Sequence, residues 1–351
     1  MKKSLKIIIP IVSILTTLFV VAGFIMVEGN APKGKTLGGN NDWMKYIHDE
    51  TFINNIVIPG SHDAGTNGMS WLGETQNLSI KDQLNEGVRY FDIRVNKKSK
   101  DNYVIFHSVI NGCRFEPILN DIKDFIIANP TETILLDFQH FKNNSEEGVL
   151  SLINEYLLSN NLIVRNTTAN NDLEFISNLK LSDTRGKCLI FWGNRDMSMT
   201  YDYLFARNND TCEYQNMSLD SYYHSDFHKK FSPTEFINQA IPFYFEDIKR
   251  KITEENYKGI FVLQCQLTDG ALIFGPYSKE KKMSNVMEQY LSATIALNSD
   301  YISLLNVIMR DFISFNKANT IIGLNFEKNN LKEALKSEFI YKYCDIVNID
   351  A

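Results

Sequence analysis

Short apolar runs rich in β-branched and aromatic residues alternate along the chain with segments whose apolar residues recur at helical spacing. This alternation is typical of an α/β domain, in which helices connect the strands of a parallel sheet. Eight runs predict strands, at residues 55–58, 88–93, 103–106, 133–138, 187–192, 217–222, 260–266 and 304–309.

The segments between these runs predict helices. Apolar residues recur at helical spacing over 118–126, before Asn129-Pro130 ends the pattern, and again over 149–157. Later helices are predicted at 246–255, 281–297 and 330–343. Eight strands with interposed helices favour a single irregular parallel (β/α)8 barrel of the TIM type. An open doubly wound sheet is the alternative, but no G-x-G-x-x-G or G-x-x-x-x-G-K motif follows a predicted strand.

The N-terminus has the pattern of an export signal. Lys2, Lys3 and Lys6 precede an uncharged, largely apolar run at residues 7–27. This run predicts an apolar helix long enough to cross a bilayer, so a cleaved signal and a retained anchor are both open. We expect residues 1–35 to be a signal or anchor with a tether, and residues 36–351 to be one extracellular barrel domain.

Composition excludes several classes of protein. Hydrophobic residues make up 44% of the chain and charged residues 22%, values that exclude wholesale disorder and a collagen-like protein. The formal net charge is −6, which argues against a nucleic-acid partner because phosphate contacts need a basic surface. The five cysteines lack the spacing of a zinc site. Cys188 and Cys265 lie in apolar runs and are predicted to be buried, and disulfides among the others are open.

Charged and polar side chains cluster just past the ends of four predicted strands. In a parallel barrel the carboxyl ends of the strands meet at one mouth, where active sites lie. Two histidines, one arginine and three acids are therefore expected to ring this mouth: His62, Asp63, Asp92, Arg94, His107 and Asp311.

The blocks around these residues resemble the X domain of phosphatidylinositol-specific phospholipases C. The segments IPGSHDAGT, LNEGVRYFDIRV, VIFHS, NPTETILLDF and VIMRDFI follow one another in that family's order, between about residues 42 and 315. The resemblance implies an irregular parallel barrel that cleaves a phosphodiester next to a hydroxyl. Arg94 matches the arginine of the bacterial secreted branch, whereas calcium-dependent relatives have a cluster of acids. The resemblance therefore implies a reaction without a metal or other cofactor.

The resemblance also implies a role for each residue at the mouth. His62 would be the general base, oriented by Asp311, and His107 would be the general acid, held protonated by Asp63. Arg94, together with Asp92, would organise the phosphate. The chemistry of the residues agrees with these roles, because attack by a neighbouring hydroxyl on phosphorus needs a base, an acid and a cation. Imidazole titrates near neutrality and can serve as either the base or the acid.

Contacts to the head group and to the membrane are a further set of predictions. The family's basic and D-x-Y elements match Arg195, Asp220 and Tyr222, and Gln139 stands where bacterial phosphatidylinositol enzymes have a lysine. Trp71-Leu72, in the loop after the first block, is either core or an apolar tip that contacts a bilayer.

Together these features predict a phosphodiester lyase that converts phosphatidylinositol, or its glycosylated forms, to diacylglycerol and cyclic inositol phosphate. Its expected partner is the phospholipid substrate at a membrane surface, and no obligate protein partner is evident. Two alternatives remain open. One is a related barrel phosphodiesterase acting on another head group, such as a glycerophosphodiester. The other is a catalytically silent surface protein that binds lipid or glycan.

Overall fold

The computed structural model describes residues 29–167, 171–208, 217–268, 275–295 and 298–344. The predicted export segment at residues 7–27 lies outside this part of the chain. Among the described residues, none of the helices has the length and apolar character needed to cross a membrane.

Within the described residues, ten strands form one sheet, and eight of them make the wall of a barrel. In chain order, β1 to β10 are Ile58–Ser61, Tyr90–Ser99, Asn102–His107, Ile110–Arg114, Thr133–Lys142, Lys187–Trp192, Leu204–Ala206, Leu219–Tyr222, Ile260–Gln264 and Val307–Arg310. The spatial order of the wall is β7-β6-β5-β2-β1-β10-β9-β8, and each neighbouring pair in it is parallel.

The two ends of this sheet meet, so the barrel is nearly closed. A parallel bridge joins Arg207, after β7, to Leu219 of β8. The backbone N–H of Ser218 donates to the carbonyl of Ala206 at 2.9 Å across the same seam. The predicted parallel barrel is therefore confirmed, and the open doubly wound sheet is excluded.

The sequence analysis placed one strand wrongly in the barrel wall and missed another. The predicted strand at 103–106 belongs to β3, which forms an antiparallel hairpin with β4 and pairs with the outer end of β2. The eighth strand of the wall is instead the short β7, which was not predicted. The reason is physical, since the two-residue periodicity of an antiparallel strand is the same as that of a parallel one.

Helices surround the barrel wall. The α-helices α1 to α13 are Ile80–Asn85, Phe115–Ala128, Glu146–Tyr156, Asp172–Asn178, Leu181–Thr184, Arg195–Ser198, Ser225–Lys230, Pro233–Glu235, Ile241–Glu254, Gly275–Gln289, Ser299–Leu304, Phe315–Gly323 and Lys336–Tyr343. The predicted helices at 118–126 and 149–157 correspond to α2 and α3. The prediction at 281–297 overlaps α10 and the π-helical segment Tyr290–Ile295 that follows it, while only the second half of 330–343 is α-helical.

Strand alternation divides the core in two. Inward-facing side chains, such as Leu135, Phe191 and Met309, form a buried cluster inside the barrel. Outward-facing side chains form a second cluster against the helices. Cys188 and Cys265 are buried in this outer cluster, as predicted. Because inward positions recur every second residue, this alternation also decides which polar side chains face the mouth.

A buried ion pair ties the amino-terminal end of the barrel together. Nε of Arg89 lies 2.8 Å from Oε2 of Glu132, and both side chains are fully buried. The same guanidinium donates to the backbone carbonyls of Asn40 and Leu84. Glu132 also accepts the backbone N–H of Met44 at 3.1 Å. The segment that precedes β1 is thereby fixed across this end of the barrel.

We expect Arg89→Met to lower the free energy of unfolding by about 3–5 kcal/mol, because it leaves Glu132 buried without its partner charge. The double variant Arg89→Met/Glu132→Gln removes both charges and should lose less. Urea unfolding of the wild type and both variants measures the difference. A double variant that is less stable than the single one would contradict this account.

Candidate active site

Two neighbouring strands present the first pair of side chains at the mouth. Strands β1 and β10 run side by side with Ser61 opposite Arg310, so the residues that follow them, His62 and Asp311, are adjacent. The backbone N–H of His62 donates to the carbonyl of Arg310 at 3.1 Å. Nδ1 of His62 lies 2.7 Å from Oδ1 of Asp311, which leaves Nε2 facing the mouth.

The carboxylate of Asp63 is the centre of the site. It is fully buried, and Nε of Arg94 lies 2.7 Å from Oδ1. Nε2 of His62 lies 3.4 Å from Oδ2, and Nε2 of His107 lies 3.6 Å from the same oxygen. Burial alone would raise the pKa of Asp63, but the positive charge of Arg94 and the two histidines lowers it to about 2. Asp63 is therefore a permanent anion near neutral pH.

Arg94 links a second carboxylate to this centre. Its Nη2 lies 2.8 Å from Oδ2 of Asp92 and 3.4 Å from Oε1 of Gln139. The pairing of β2 with β5 shifts register at this point, Ile93 opposing Phe138 while Arg94 opposes His140. This shift is a β-bulge. It leaves Gln139 without a paired residue on β2, and the side chain of Gln139 contacts the guanidinium of Arg94.

His107 reaches the site by a different route from the one predicted. It ends β3, which is a hairpin strand rather than a strand of the barrel wall. The hairpin brings Nδ1 of His107 within 3.0 Å of the carbonyl oxygen of Gly73, an arrangement in which the N–H at Nδ1 donates. Nε2 is then directed toward Asp63. The structure thus brings all five predicted catalytic residues together.

The carboxylates make His62 a strong proton acceptor. Burial alone would lower the pKa of its imidazole, but Asp63 and Asp311 outweigh burial and raise this pKa to about 9. Carboxylates hold His62 in place, and a backbone carbonyl holds His107. The mouth therefore contains two imidazoles that can transfer protons, and both contact the carboxylate of Asp63. The guanidinium of Arg94 lies against the other oxygen of the same carboxylate.

The same residues raise the question of a metal ion. One ligand atom each from His62, Asp63 and Asp92 lie within 4.8 Å of one another, close enough to surround a cation. However, the guanidinium of Arg94 already contacts both carboxylates. This pairing favours arginine as the cation of the site, and independence from metal stays a prediction.

Asp220 and Tyr222 do not reach the mouth, which corrects the predicted head-group contact. Oδ2 of Asp220 lies 2.7 Å from Nζ of Lys251, and the hydroxyl of Tyr222 donates to Asp247 at 3.0 Å, both on α9. These outward positions follow from strand alternation, since a shift of one residue reverses the face. The inward side chain between them is Ser221, which accepts a hydrogen bond from Gln264.

Arg195 also lies apart from the five catalytic candidates. It begins α6 and lines a cavity of about 830 Å³ whose described lining includes none of them. The predicted contact of Arg195 with a head group is therefore not supported by its position.

Sequence reasoning missed a buried acid and base just below the mouth. Nε of Arg207 lies 2.7 Å from Oδ1 of Asp137, and the hydroxyl of Tyr90 donates to Oδ2 of Asp137 at 2.5 Å. Burial, with the nearby charge of Asp92, raises the pKa of Asp137 to about 6 although Arg207 opposes the shift. Asp137 lies inside an apolar run of the sequence. The only sequence signal that its side chain faces the barrel interior is its two-residue spacing from Gln139, because such residues share a face of the strand.

The loop that carries Trp71 and Leu72 lies beside the histidine hairpin. Both side chains are half-buried. A side chain added at Gly73 would meet Ile110 of β4, and one added at Gly275 would meet the carbonyl of Trp71. The loop therefore packs between the hairpin and the start of α10, and its contact with a bilayer stays a prediction.

Comparison with known proteins gives a consistent result. Residues 51–193 match the family model for the X domain of phosphatidylinositol-specific phospholipase C. The chain is 28% identical over 300 residues to the 1-phosphatidylinositol phosphodiesterase of Listeria monocytogenes, covering 81% of this chain and 84% of that one. It is 29% identical to the enzyme of the same name from Staphylococcus aureus, over 43% of this chain and 50% of that one. Human PI-PLC X domain-containing protein 2 is 30% identical over 138 residues, which span 29% of this chain and 44% of the human one.

Solved structures agree on the fold. The phosphatidylinositol-specific phospholipase C of Listeria monocytogenes superposes with a TM-score of 0.59 at 21% identity, covering 82% of this chain and 98% of that one. A mutant of the Staphylococcus aureus phosphatidylinositol-specific phospholipase C gives a TM-score of 0.61 at 17% identity, over 86% and 100% of the two chains. At these identities the similarity establishes a common barrel.

The protonation of His62 predicts how stability depends on pH. Its pKa is about 9 in the folded chain against 6.5 for an ordinary histidine, so its stabilising contribution is complete below pH 6.5 and is lost as the pH rises to 9. Between pH 6 and 9.5, the wild type should lose up to about 3 kcal/mol relative to His62→Gln. Urea unfolding at both pH values measures this difference. His48→Gln, at an exposed position, is the control and should follow the wild type. Parallel curves for the wild type and His62→Gln would contradict the assignment.

Proposed function

We propose that this chain, whose residues 51–193 belong to the phosphatidylinositol-specific phospholipase C X-domain family, is a phosphodiester lyase that cleaves phosphatidylinositol. The observation that carries the proposal is the convergence of His62, His107 and Arg94 on the buried carboxylate of Asp63. Relatives named 1-phosphatidylinositol phosphodiesterase support the choice of substrate.

The geometry suggests how the reaction proceeds. In the fraction of the protein in which His62 is neutral, its Nε2 takes the proton of the inositol hydroxyl next to the phosphate, and the oxygen of that hydroxyl attacks phosphorus. As this bond forms, the bond from phosphorus to the glycerol oxygen breaks, and His107 supplies a proton to the departing diacylglycerol. Arg94 balances the negative charge that develops on the phosphoryl oxygens. The products are diacylglycerol and a cyclic inositol phosphate.

Asp311 and Asp63 adjust the two histidines for these tasks. Asp311 orients His62 through Nδ1 at 2.7 Å and stabilises the imidazolium that forms when the hydroxyl is deprotonated. Asp63 lies 3.6 Å from Nε2 of His107, which it orients, and also holds Arg94 in place. In a slower second step, water could open the cyclic product, with the histidines exchanging roles.

Two other functions make different demands on the site. A barrel phosphodiesterase for a glycerophosphodiester usually needs a divalent metal, whereas here the carboxylates of Asp63 and Asp92 are engaged by Arg94. A silent binding protein has no chemical need for two histidines on one buried acid. The arrangement therefore favours the lyase, acting on phosphatidylinositol or its glycosylated forms at a membrane surface outside the cell.

Cleavage of phosphatidylinositol vesicles should proceed in the presence of a chelator and release cyclic inositol phosphate. His62→Ala and His107→Ala should each lower this rate by about 10²- to 10⁴-fold, because each removes one proton-transfer group. Phosphorus NMR of the soluble products gives both the rate and the identity of the product.

His48→Ala, at an exposed position away from the site, is the control and should retain the wild-type rate. Full activity in His62→Ala or His107→Ala would exclude the proposed mechanism. Loss of activity in chelator that returns with a divalent cation would favour the metal-dependent phosphodiesterase. No turnover of any phosphodiester would favour the silent binding protein.

The edge of the mouth offers an apolar contact for the membrane. Val109, at the tip of the β3–β4 hairpin two residues after His107, is 87% exposed. We call Val109, together with Trp71 and Leu72 in the adjoining loop, the rim patch. Residues 36–351 hold 31 basic and 41 acidic residues, a balance of −10, so electrostatic attraction to anionic lipid is weak. Apolar insertion of the rim patch is the contact we propose.

Val109→Ser should lower the rate on vesicles by about 3- to 10-fold, since it removes apolar area that would enter the lipid. The rate on a water-soluble, short-chain phosphatidylinositol should stay within twofold of the wild type. Ile127→Ser is the matched control, because Ile127 is 58% exposed near the end of α2, at the opposite end of the barrel. Equal effects of the two substitutions on vesicles would rule out the rim patch.

A further inference from the structure

A fully buried glutamine lies beneath the two residues that form the histidine–aspartate pair. Gln76 follows the Trp71-Leu72 loop and precedes α1, and its side chain has no exposed surface. It does not contact the mouth itself. Its amide lies instead against the backbone where β1 and β10 end.

The three hydrogen bonds of this amide join the two strand ends. Nε2 of Gln76 donates to the carbonyl of His62 and to the carbonyl of Arg310, both at 2.9 Å. Oε1 accepts the backbone N–H of Ile313, also at 2.9 Å. One side chain therefore holds His62 on one strand and the residues on both sides of Asp311 on the other.

The backbone after Asp311 needs such support. Phe312 has a φ of 44°, in the left-handed region that a bulky residue enters only at a cost. Its N–H donates to the carbonyl of Thr75 at 2.7 Å, so the residue before Gln76 holds the same turn. Nζ of Lys317 donates to the carbonyls of Asp311 and Phe312 at 3.0 and 2.9 Å. The strained turn is thus held by the Thr75-Gln76 segment on one side and by α12 on the other.

We propose that Gln76 is a positioning residue that sets the distance and angle between His62 and Asp311. The two side chains come from different strands, and their separation depends on how the two strand ends are held together. Without the amide, the backbone at His62 and Arg310 loses a shared donor, and the left-handed turn at Phe312 loses part of its support. Small displacements of this kind are costly in catalysis, because proton transfer needs close and aligned groups.

Gln76→Met tests the proposal, since methionine has a similar length and removes all three hydrogen bonds. We expect the kcat on a water-soluble phosphatidylinositol to fall about 10- to 100-fold, with KM within about twofold of the wild type. The midpoint of the His62 ring titration, followed by NMR, should fall by about one pH unit, because a loosened Asp311 stabilises the imidazolium less.

Asn325 provides a matched control at the other end of β1. It is also fully buried, its Nδ2 donates to the carbonyls of Val57 and Ile322, and its Oδ1 accepts the N–H of Val57. Asn325→Leu therefore removes a similar set of hydrogen bonds and should destabilise the chain comparably. Its kcat and its His62 titration should match the wild type.

The proposal rests on the proposed function only for its rate measurement, because the titration of His62 is informative even if phosphatidylinositol is not the substrate. A wild type without lyase activity would overturn the function and leave the titration to decide the role of Gln76. An unchanged His62 titration in Gln76→Met would overturn the positioning role, as would an equal shift in Asn325→Leu. If Gln76→Met does not fold, Gln76→Asn shortens the side chain by one methylene and weakens its donation to both carbonyls without adding a charge. The same lowered kcat and lowered midpoint are then expected.

Discussion

The buried carboxylate of Asp63 is the constraint around which the mouth of the barrel is built. An anion with no exposed surface is tolerated only when positive groups surround it, and here they come from three places in the chain. Arg94 arrives from β2, His62 from the end of β1 and His107 from the hairpin. Because these three groups surround the anion, the residues that make its burial tolerable are the same residues that are proposed for acid–base chemistry.

The backbone at the mouth is strained where this balance is made. Asp63, Ser108 and Phe312 all have positive φ, and each is a catalytic candidate or directly follows one. A residue other than glycine keeps a left-handed backbone conformation only when its surroundings hold it there. At Phe312, hydrogen bonds to the turn provide this support. The site thus rests on backbone geometry held from behind, which explains why a buried glutamine with no contact to substrate lies between the two strand ends.

Sequence reasoning located the barrel and the five catalytic candidates because these depend on local blocks at strand ends. It failed where the answer depended on which face a residue takes or which strands pair. Asp220 and Tyr222 lie one residue from the inward register, and a shift of one residue reverses every side chain of a strand. His107 reaches the mouth, but it was assigned to the wrong kind of strand, since a hairpin and a barrel strand share one periodicity. Arg207 escaped notice because the strand that precedes it is only three residues long.

These failures have a common consequence for the head group. With Asp220 and Tyr222 facing the helices, the inward polar positions on the far wall are Ser221 and Gln264, which bond to each other at 2.7 Å. On the near wall Gln139 contacts Arg94. These hydroxyl and amide groups share the described wall with the charged pair of Asp137 and Arg207, and they can bind a ligand through directional hydrogen bonds to its hydroxyls. A polyol head group offers several hydroxyls for such hydrogen bonds.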